Sequence, residues 1–287
     1  MNRPSPTALP LLVTPVDLHA LLRGATPPVV LDCSFELADT GAGERAHLQA
    51  HVPGALYAHL DRDLAGPKTG RTGRHPLPSR DALAATLARW GIGPQRRVVT
   101  YDRQGAPYAA RAWWLLRWMG VAEVAVLDGG WQAWVAAGLP QESAAVAPVA
   151  VATAAWPAPA LPTMEAGELL AGLGRVAVID ARAGERFRGE KEPLDPVAGH
   201  IPGAINRPYA GNLGPDGSFA PAHELRAAFR ALLGDLPASE VVHQCGSGVT
   251  ACHNLLAMEV AGLPGSKLYP GSWSEWCADP ARPVARS

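Results

Sequence analysis

The sequence is poor in cysteine and lacks the spacings that turn cysteines into structural staples. Its 287 residues contain four cysteines, and no two of them form a CxxC pair. A scaffold held by disulfides would need more cysteines. A zinc site would need cysteines and histidines clustered at short spacings. We therefore exclude both and predict no metal site.

The sequence also lacks an excess of basic residues and a long apolar run. Twenty-five Lys and Arg stand against 26 Asp and Glu, which gives a formal charge of −1. Nucleic acids and membrane surfaces attract basic proteins, so neither is expected as a partner. No run reaches the roughly 18 apolar residues that span a bilayer. The N-terminus is broken by prolines and does not resemble a signal peptide, so we expect a cytoplasmic protein.

What the sequence does contain is a long internal repeat. Four short blocks recur in the same order: VVLD (29–32) as AVID (177–180), HVPGA (51–55) as HIPGA (200–204), VVTYD (98–102) as VVHQC (241–245), and LDGGW (127–131) as YPGSW (269–273). A period of about 145 residues is the length of a whole domain, not of a solenoid repeat. We predict two duplicated domains, 1–143 and 163–287. The alanine- and proline-rich segment 144–162 is the predicted linker.

Within each half, short apolar runs alternate with longer stretches of helical periodicity. The predicted strands are 29–31, 98–101, 124–127, 176–179 and 241–244, and the predicted helices are 80–90, 107–119, 222–233 and 250–261. Strands that alternate with helices are typical of a parallel sheet covered on both faces. The predicted fold class is therefore α/β, with two tandem domains that each hold a mostly parallel sheet flanked by helices.

Cys245 follows a predicted strand and opens the segment CGSGVT, after which a helical stretch begins. Gly246 and Gly248 allow a tight turn in which successive backbone N–H groups point inward. The N-terminus of the following helix adds the positive end of its dipole, and this arrangement favours an anion. Because such a loop stabilises a thiolate, Cys245 is the predicted nucleophile.

Four segments together resemble the rhodanese family, and specifically its tandem-domain members, the thiosulfate and 3-mercaptopyruvate sulfurtransferases. They are DAR at 180–182, GHIPGA at 199–204, CGSGVTAC at 245–252 and PGSWSEW at 270–276. The resemblance extends from about residue 8 to residue 283. In this family the first domain is catalytically silent and carries Asp where the second carries Cys. Asp102 occupies that position here. The resemblance therefore implies two rhodanese-like domains.

The resemblance implies a two-step transfer of sulfur. The Cys245 thiolate would attack the outer sulfur of a small donor, 3-mercaptopyruvate or thiosulfate, and would be left as a persulfide. Cyanide, a small thiol or a protein thiol such as thioredoxin would then remove the sulfur. Neither a metal nor an organic cofactor is implied. The backbone of Gly246, Gly248, Val249 and Thr250 would bind the sulfur and the donor.

Two arginines are candidates for the anionic end of the donor. Arg186 matches a substrate-binding arginine of the family, and a guanidinium suits a carboxylate or sulfonate. Arg182 could act in the same way or could pair with Asp180. Mercaptopyruvate enzymes usually carry a further arginine nine residues after the one matched by Arg186, and this chain has Asp195 there.

The resemblance also implies a hydrogen-bonded set of Ser247, His75 and Asp63 that delivers a proton to the departing pyruvate enolate. The alternative is that His75 is a surface histidine in a polar loop. Thiosulfate enzymes tend to carry basic residues after the cysteine, whereas Gly246 and Ser247 are neutral. A neutral loop attracts a dianion less strongly, so 3-mercaptopyruvate is the favoured donor.

Two other functions remain as alternatives. Cysteine phosphatases also use an anion loop that begins with Cys, but they need an arginine at its end, where this chain has Ala251. A rhodanese scaffold can also serve as a binding or sulfur-relay module that works with one protein partner. Retention of Cys245 and its glycines argues against simple binding, while a relay stays open.

Overall fold

The computed structural model describes residues 8–287 and contains two parallel sheets, one in each half of the chain. The first sheet has the order β1-β5-β4-β2-β3 and the second the order β7-β6-β8-β9. All strand pairs within the two sheets are parallel. The strands are β1 (Leu12–Val13), β2 (Val29–Asp32), β3 (Leu56–Tyr57), β4 (Val98–Tyr101), β5 (Val124–Leu127), β6 (Ala177–Asp180), β7 (Ile205–Asn206), β8 (Val241–Gln244) and β9 (Lys267–Leu268).

Helices cover the sheets, as expected of an α/β fold. They are α1 (Pro15–Leu22), α2 (Ala42–Gln49), α3 (Leu60–Asp63), α4 (Arg80–Arg89), α5 (Pro107–Met119), α6 (Gly130–Ala136), α7 (Ala166–Ala171), α8 (Gly184–Arg188), α9 (Ala222–Leu233), α10 (Ala251–Val260) and α11 (Ser272–Trp276). Two 3-10 helices lie at Tyr209–Asn212 and Ala238–Glu240. Within residues 8–287, none of the helices is both long and apolar enough to cross a membrane.

The predicted elements agree with this fold, which is confirmed as α/β. Helices α5 and α9 and strands β4, β5 and β8 have the predicted bounds, and the other predicted elements differ by one residue at one or both ends. The central strands β4 and β8 are buried along their whole length, which is why they stand out as apolar runs. The four strands that were not predicted have two residues each, too few for any periodicity.

The two domains pack against each other through equivalent helices. Helix α5 follows β4 in the first domain, α10 follows β8 in the second, and the two are in contact. Their buried side chains belong to one hydrophobic cluster that spans both domains. The loops that precede these helices begin at Asp102 and Cys245. The packing therefore brings both loops to the interface between the domains.

The predicted linker lies against the first domain. The backbone N–H of Val151 donates to the Ala88 carbonyl at 2.9 Å, and that of Ala160 donates to the Trp118 carbonyl at 3.2 Å. Arg80 donates to the Pro157 carbonyl. The segment thus crosses the surface of α4 and α5 before the second domain begins.

Candidate active site

Cys245 lies directly after β8 and is 2% exposed. Its backbone N–H donates to Ser272 Oγ at 3.1 Å, and its carbonyl accepts from the Trp273 N–H at 2.9 Å. These two bonds fix the cysteine backbone to the start of α11. The backbone N–H of Ser247 lies 3.4 Å from Cys245 Sγ, within hydrogen-bonding distance of sulfur. The loop therefore directs a main-chain donor at the predicted nucleophile.

Gly248 is required by the shape of this loop. Its φ of +77° is a left-handed conformation that favours glycine. A Cβ at this position would lie 2.3 Å from the Pro270 carbonyl oxygen, so the loop and the segment before α11 could not approach as they do. The sequence-based interpretation of Gly248 as a turn residue agrees with this geometry.

The equivalent loop of the first domain holds an anion of its own. Asp102 occupies the position of Cys245, and its carboxyl group accepts four backbone N–H bonds of 2.8–2.9 Å. The donors are Gln104 and Ala106 to Oδ1, and Tyr108 and Ala109 to Oδ2. The first loop thus places a carboxyl group within hydrogen-bonding distance of four main-chain N–H groups next to the N-terminus of α5.

His75, from the first domain, reaches the loop of the second. Its Nδ1 lies 2.7 Å from Ser247 Oγ, and the ring is buried. Burial and the positive charge of Arg111 lower the pKa of His75 to about 3. The imidazole is therefore neutral near pH 7, and the ring forms a hydrogen bond with Ser247 as an uncharged group. The structure brings Ser247 and His75 together as the resemblance implies.

The acid beside His75 is Asp61, whereas the sequence analysis assigned Asp63. His75 Nε2 lies 3.5 Å from Asp61 Oδ1. The Asp63 carboxylate accepts from the His59 N–H at 2.9 Å and pairs with Arg89 at 2.8 Å. Both acids lie on the single turn of α3, and residues two apart on a helix point about 200° apart. Only one of the two can face His75.

The two predicted arginines have different environments. Arg182 forms a buried, two-pronged ion pair with Asp180, with Nε and Nη2 at 2.7–3.1 Å from the carboxylate. Arg186 contacts Glu192 at 2.6 Å and Asp195 at 3.3 Å through Nη2 alone. Of the two roles that the sequence allowed for Arg182, the structure shows the ion pair with Asp180. Arg186 uses only Nη2 in its ion pairs, so Nη1 and Nε are not part of them.

These residues surround one cavity of about 190 Å³ between the domains. Predicted residues that line it are Cys245, Gly246, Ser247, Val249, Thr250, His75, Arg182 and Arg186, and further lining residues are Leu37, Leu60, Arg74, Tyr108, Ala181, Ala183, Leu194 and Tyr209. In the described part of the chain, no cluster of His, Cys, Asp and Glu side chains is suited to a metal ion. The cavity combines one thiol, four side chains that carry a hydroxyl group and three guanidinium groups.

The sequence matches the rhodanese-like domain family twice, over residues 14–137 and 165–279. The chain belongs to the rhodanese family. A Pseudomonas aeruginosa relative named "Probable 3-mercaptopyruvate sulfurtransferase" is 50% identical over 261 residues, 90% of this chain and 92% of the relative. The thiosulfate sulfurtransferase of Bos taurus is 36% identical over 257 residues, which cover 86% of this chain and 84% of the bovine protein. The tandem-domain resemblance is thus confirmed.

A solved structure supports the same rhodanese architecture. The 3-mercaptopyruvate sulfurtransferase from Leishmania major is 29% identical and superposes with a TM-score of 0.82, covering 95% of this chain and 75% of that one. The predicted enzyme class, sulfurtransferase, agrees with the names of these relatives. Two of these relatives are named for 3-mercaptopyruvate as the sulfur donor and one for thiosulfate.

One residue that the sequence analysis missed ties the rhodanese loop to the first domain. Arg111 on α5 is completely buried and donates to the Gly248 carbonyl at 3.1 Å, the His75 carbonyl at 3.2 Å and the Leu64 carbonyl at 3.2 Å. Arg111 therefore fixes the position of the cysteine loop relative to the segment that contains His75. The signal was present in the sequence, since Arg111 interrupts the apolar stretch AARAWWLL.

A second missed residue is Arg74, which precedes His75. Its side chain extends from the first domain to Asp195 in the second, and its Nη2 lies beside Gly246. The sequence offered no signal, because RTGRHPLP reads as an ordinary polar loop. Only the packing of the domains brings Arg74 into the cavity.

Proposed function

We propose that this protein transfers sulfur from 3-mercaptopyruvate or thiosulfate to cyanide or a thiol through a persulfide on Cys245. The observation that carries the proposal is the pair of duplicated loops. One loop binds the carboxyl group of Asp102 with four amides, and the other presents a cysteine in its place. A persulfide adds one sulfur atom and a negative charge beyond Cys245 Sγ, where such a loop binds an anion.

The amides available to that outer sulfur follow from the repeat. In the first domain the donors lie two, four, six and seven residues after Asp102. The corresponding residues after Cys245 are Ser247, Val249, Ala251 and Cys252. The Cys252 N–H already donates to the Val249 carbonyl at 3.0 Å, so the candidates for the outer sulfur are the N–H groups of Ser247, Val249 and Ala251. Main-chain N–H groups stabilise an anion without needing a charged side chain, and hydrogen bonds to charged groups are about twice as strong as neutral ones. The loop can therefore hold a persulfide anion with neutral residues.

The first half-reaction balances for either donor. With thiosulfate, the Cys245 thiolate attacks the outer sulfur, the S–S bond of the donor breaks, and sulfite leaves with the electron pair. With 3-mercaptopyruvate, the new S–S bond forms as the C–S bond breaks, and pyruvate leaves as its enolate. The donor's own thiol proton then ends on the enolate, so no net proton is taken from solvent.

Ser247 and His75 are placed to move that proton. Because the imidazole is neutral, it can accept a proton from the donor thiol and return it through the serine hydroxyl. Asp61, at 3.5 Å, stabilises the ring while it is charged. A proton is moved rather than supplied, so the relay does not require His75 to be protonated before the donor binds.

Replacing His75 by Gln tests the relay. General acid–base groups contribute typically 10²–10⁴-fold, so we expect kcat with 3-mercaptopyruvate to fall by at least about 100-fold. Turnover of thiosulfate should change far less, because sulfite leaves without a proton. The measurement is kcat for both donors in His75→Gln and in His223→Gln, an exposed control on α9. Equal losses for the two donors would rule out a relay.

The second half-reaction requires an acceptor that can enter the cavity. Cyanide and small thiols fit a volume of about 190 Å³. Because Cys245 is 2% exposed, a protein acceptor such as thioredoxin has to present its thiol on a protruding segment. The acceptor takes the outer sulfur, the S–S bond breaks, and the Cys245 thiolate is regenerated.

The proposal is tested by treating the protein with each donor alone and then with cyanide. We expect the peptide containing Cys245 to gain the mass of one sulfur atom, and added cyanide to release thiocyanate over many turnovers. Labelling followed by a single slow discharge would instead favour the relay module. Absence of any sulfur on Cys245 with both donors would refute the proposal. The ratio of kcat/KM for the two donors identifies the preferred one, which we expect to be 3-mercaptopyruvate.

A further inference from the structure

Three arginines line the cavity, and two of them come from different domains and share one partner, Asp195. Arg186 belongs to the second domain and Arg74 to the first, and both line the cavity beside Cys245. A Cβ on Gly246 would lie 2.8 Å from Arg74 Nη2 and 3.4 Å from Arg186 Nη1. Both arginines thus reach the residue next to the nucleophile, and the glycine leaves room for them.

Asp195 lies between the two arginines and binds both. Its Oδ1 contacts Arg74 Nη1, and its Oδ2 lies 3.3 Å from Arg186 Nη2. Asp195 stands where a mercaptopyruvate enzyme is expected to carry its second arginine. In this chain the position holds an acid, and the acid recruits an arginine from the other domain.

Each guanidinium retains donors that the protein does not use. The Nε atoms of Arg74 and Arg186 are buried, and within residues 8–287 neither has a hydrogen-bond partner. A buried donor without a partner is costly, and both guanidinium groups belong to residues that line the cavity, where a ligand can offer an acceptor. The acceptor has to be an anion or a strong oxygen dipole, since both donors are cationic.

The charges around the cavity indicate which anion fits. Glu192 and Asp195 are both within salt-bridge distance of Arg186, and Asp195 also pairs with Arg74. The third arginine, Arg182, pairs with Asp180 at 2.7 Å. Three acids therefore balance three arginines, so the site offers directed N–H groups without a net positive charge. Such a site suits the planar geometry of a monocarboxylate better than the charge of a dianion.

We infer that Arg74 and Arg186 together bind the carboxylate of an α-keto acid donor, with Asp195 as the positioning residue that holds both guanidinium groups. The inference rests on the proposed function and deepens it. It assigns the second cation of the donor site to the silent domain, and it explains how a chain with an acid at position 195 can select 3-mercaptopyruvate over thiosulfate.

Arg74→Gln is the first test. Loss of one charge-assisted hydrogen bond should raise KM for 3-mercaptopyruvate by about 10- to 100-fold and change kcat little. KM for thiosulfate should change less. The backbone N–H of Arg74 donates to Ser274 Oγ at 3.0 Å, so this domain contact survives the substitution. Arg71→Gln, an exposed arginine of the same segment, is the matched control and should keep both KM values.

Asp195→Asn separates a positioning role from a structural one. The variant keeps both arginines but removes one negative charge, so the site becomes more attractive to a dianion. We expect KM for thiosulfate to fall while KM for 3-mercaptopyruvate rises, because Arg74 is no longer held. If both KM values rise together with a lower Tm, the ion pair serves only to join the domains and the inference is wrong.

A final measurement does not depend on turnover. Iodoacetate is a monocarboxylate, whereas iodoacetamide is neutral and of similar size, and both alkylate a reactive thiolate. The alkylation rate of Cys245 with iodoacetate, divided by its rate with iodoacetamide, should fall at least several-fold in Arg74→Gln and stay constant in Arg71→Gln. An unchanged ratio would refute the carboxylate site even if sulfur transfer is real. A lowered ratio would support the site even if neither donor is turned over.

Discussion

Replacing Cys245 by Ser is expected to abolish sulfur transfer from both donors. The hydroxyl is not ionised near neutral pH, and attack by oxygen would form an O–S bond in place of the persulfide. Removal of a nucleophile in other enzymes costs 10⁴-fold or more, and we expect a loss of at least about that size in kcat. The measurement is thiocyanate formation with each donor, together with the mass of the peptide containing position 245.

The substitution should leave the fold intact. The backbone bonds of Cys245 to Ser272 and Trp273 do not involve the sulfur, so Tm should stay close to that of the wild type. Cys277→Ala is the matched control, because Cys277 is also buried but does not line the cavity. If Cys245→Ser still formed thiocyanate, the transferred sulfur would have to be carried by another group, and the persulfide proposal would fail.

Acidification is expected to destabilise the protein well above the pH at which its carboxylates titrate. Burial lowers the pKa of His75, His243 and His253 to about 3 in each case. The unfolded chain binds these three protons near pH 6.5, whereas the folded chain does not, so stability falls as the pH drops from about 6.5 towards 3. Once the unfolded chain is fully protonated, each histidine contributes a slope of about 1.4 kcal/mol per pH unit. The three together contribute roughly 4 kcal/mol per pH unit.

Two buried carboxyl groups act in the opposite direction. Burial raises the pKa of Asp102 and of Asp195, so these groups bind protons more readily in the folded state and reduce the net slope at lower pH. The histidine slope is half developed at about pH 6.5 and nearly complete about one pH unit lower, so the steepest loss is expected near pH 5.5, before the carboxyl groups titrate. Urea unfolding at several pH values between about 7.5 and 5.5 measures the slope as the change in the free energy of unfolding.

His243→Leu provides the matched comparison for this prediction. His243 is completely buried on β8, and its Nε2 lies 3.0 Å from Met258 Sδ. Leucine has a similar volume and cannot be protonated, so the variant should lose the contribution of one histidine, about 1.4 kcal/mol per pH unit where the slope is complete. An identical slope in the variant and the wild type would show that His243 is protonated in the folded state, and the assignment of the acid lability to buried histidines would be wrong.

The first domain contributes side chains to the cavity that these predictions describe. It supplies His75 and Arg74 directly to the cavity, and through Arg111 it binds the carbonyl of Gly248. In the first domain's own loop, the carboxyl group of Asp102 accepts hydrogen bonds from four main-chain N–H groups, so these donors are not available to an external anion. The two copies therefore differ: one loop carries a cysteine that lines the cavity, and the other domain contributes side chains around it.

The sequence alone determined the features that depend on local order. The repeat of HVPGA and HIPGA showed two domains, and the apolar runs located the central strands because those strands are buried along their whole length. The spacing of Cys245, Gly246 and Gly248 before a helix predicted an anion loop, since a turn and a helix N-terminus are set by neighbouring residues. These inferences needed no contact between distant parts of the chain.

Tertiary structure alone decided which distant side chains meet at that loop. Asp61 and Asp63 cannot be told apart by spacing from His75, because only the direction of a helical turn decides which acid faces the ring. Arg74 and Arg111 reach the loop of the second domain from the first, and nothing local marks where they will lie. Contacts across an interface depend on how two complete surfaces pack, and that information is spread over both domains rather than held in any motif.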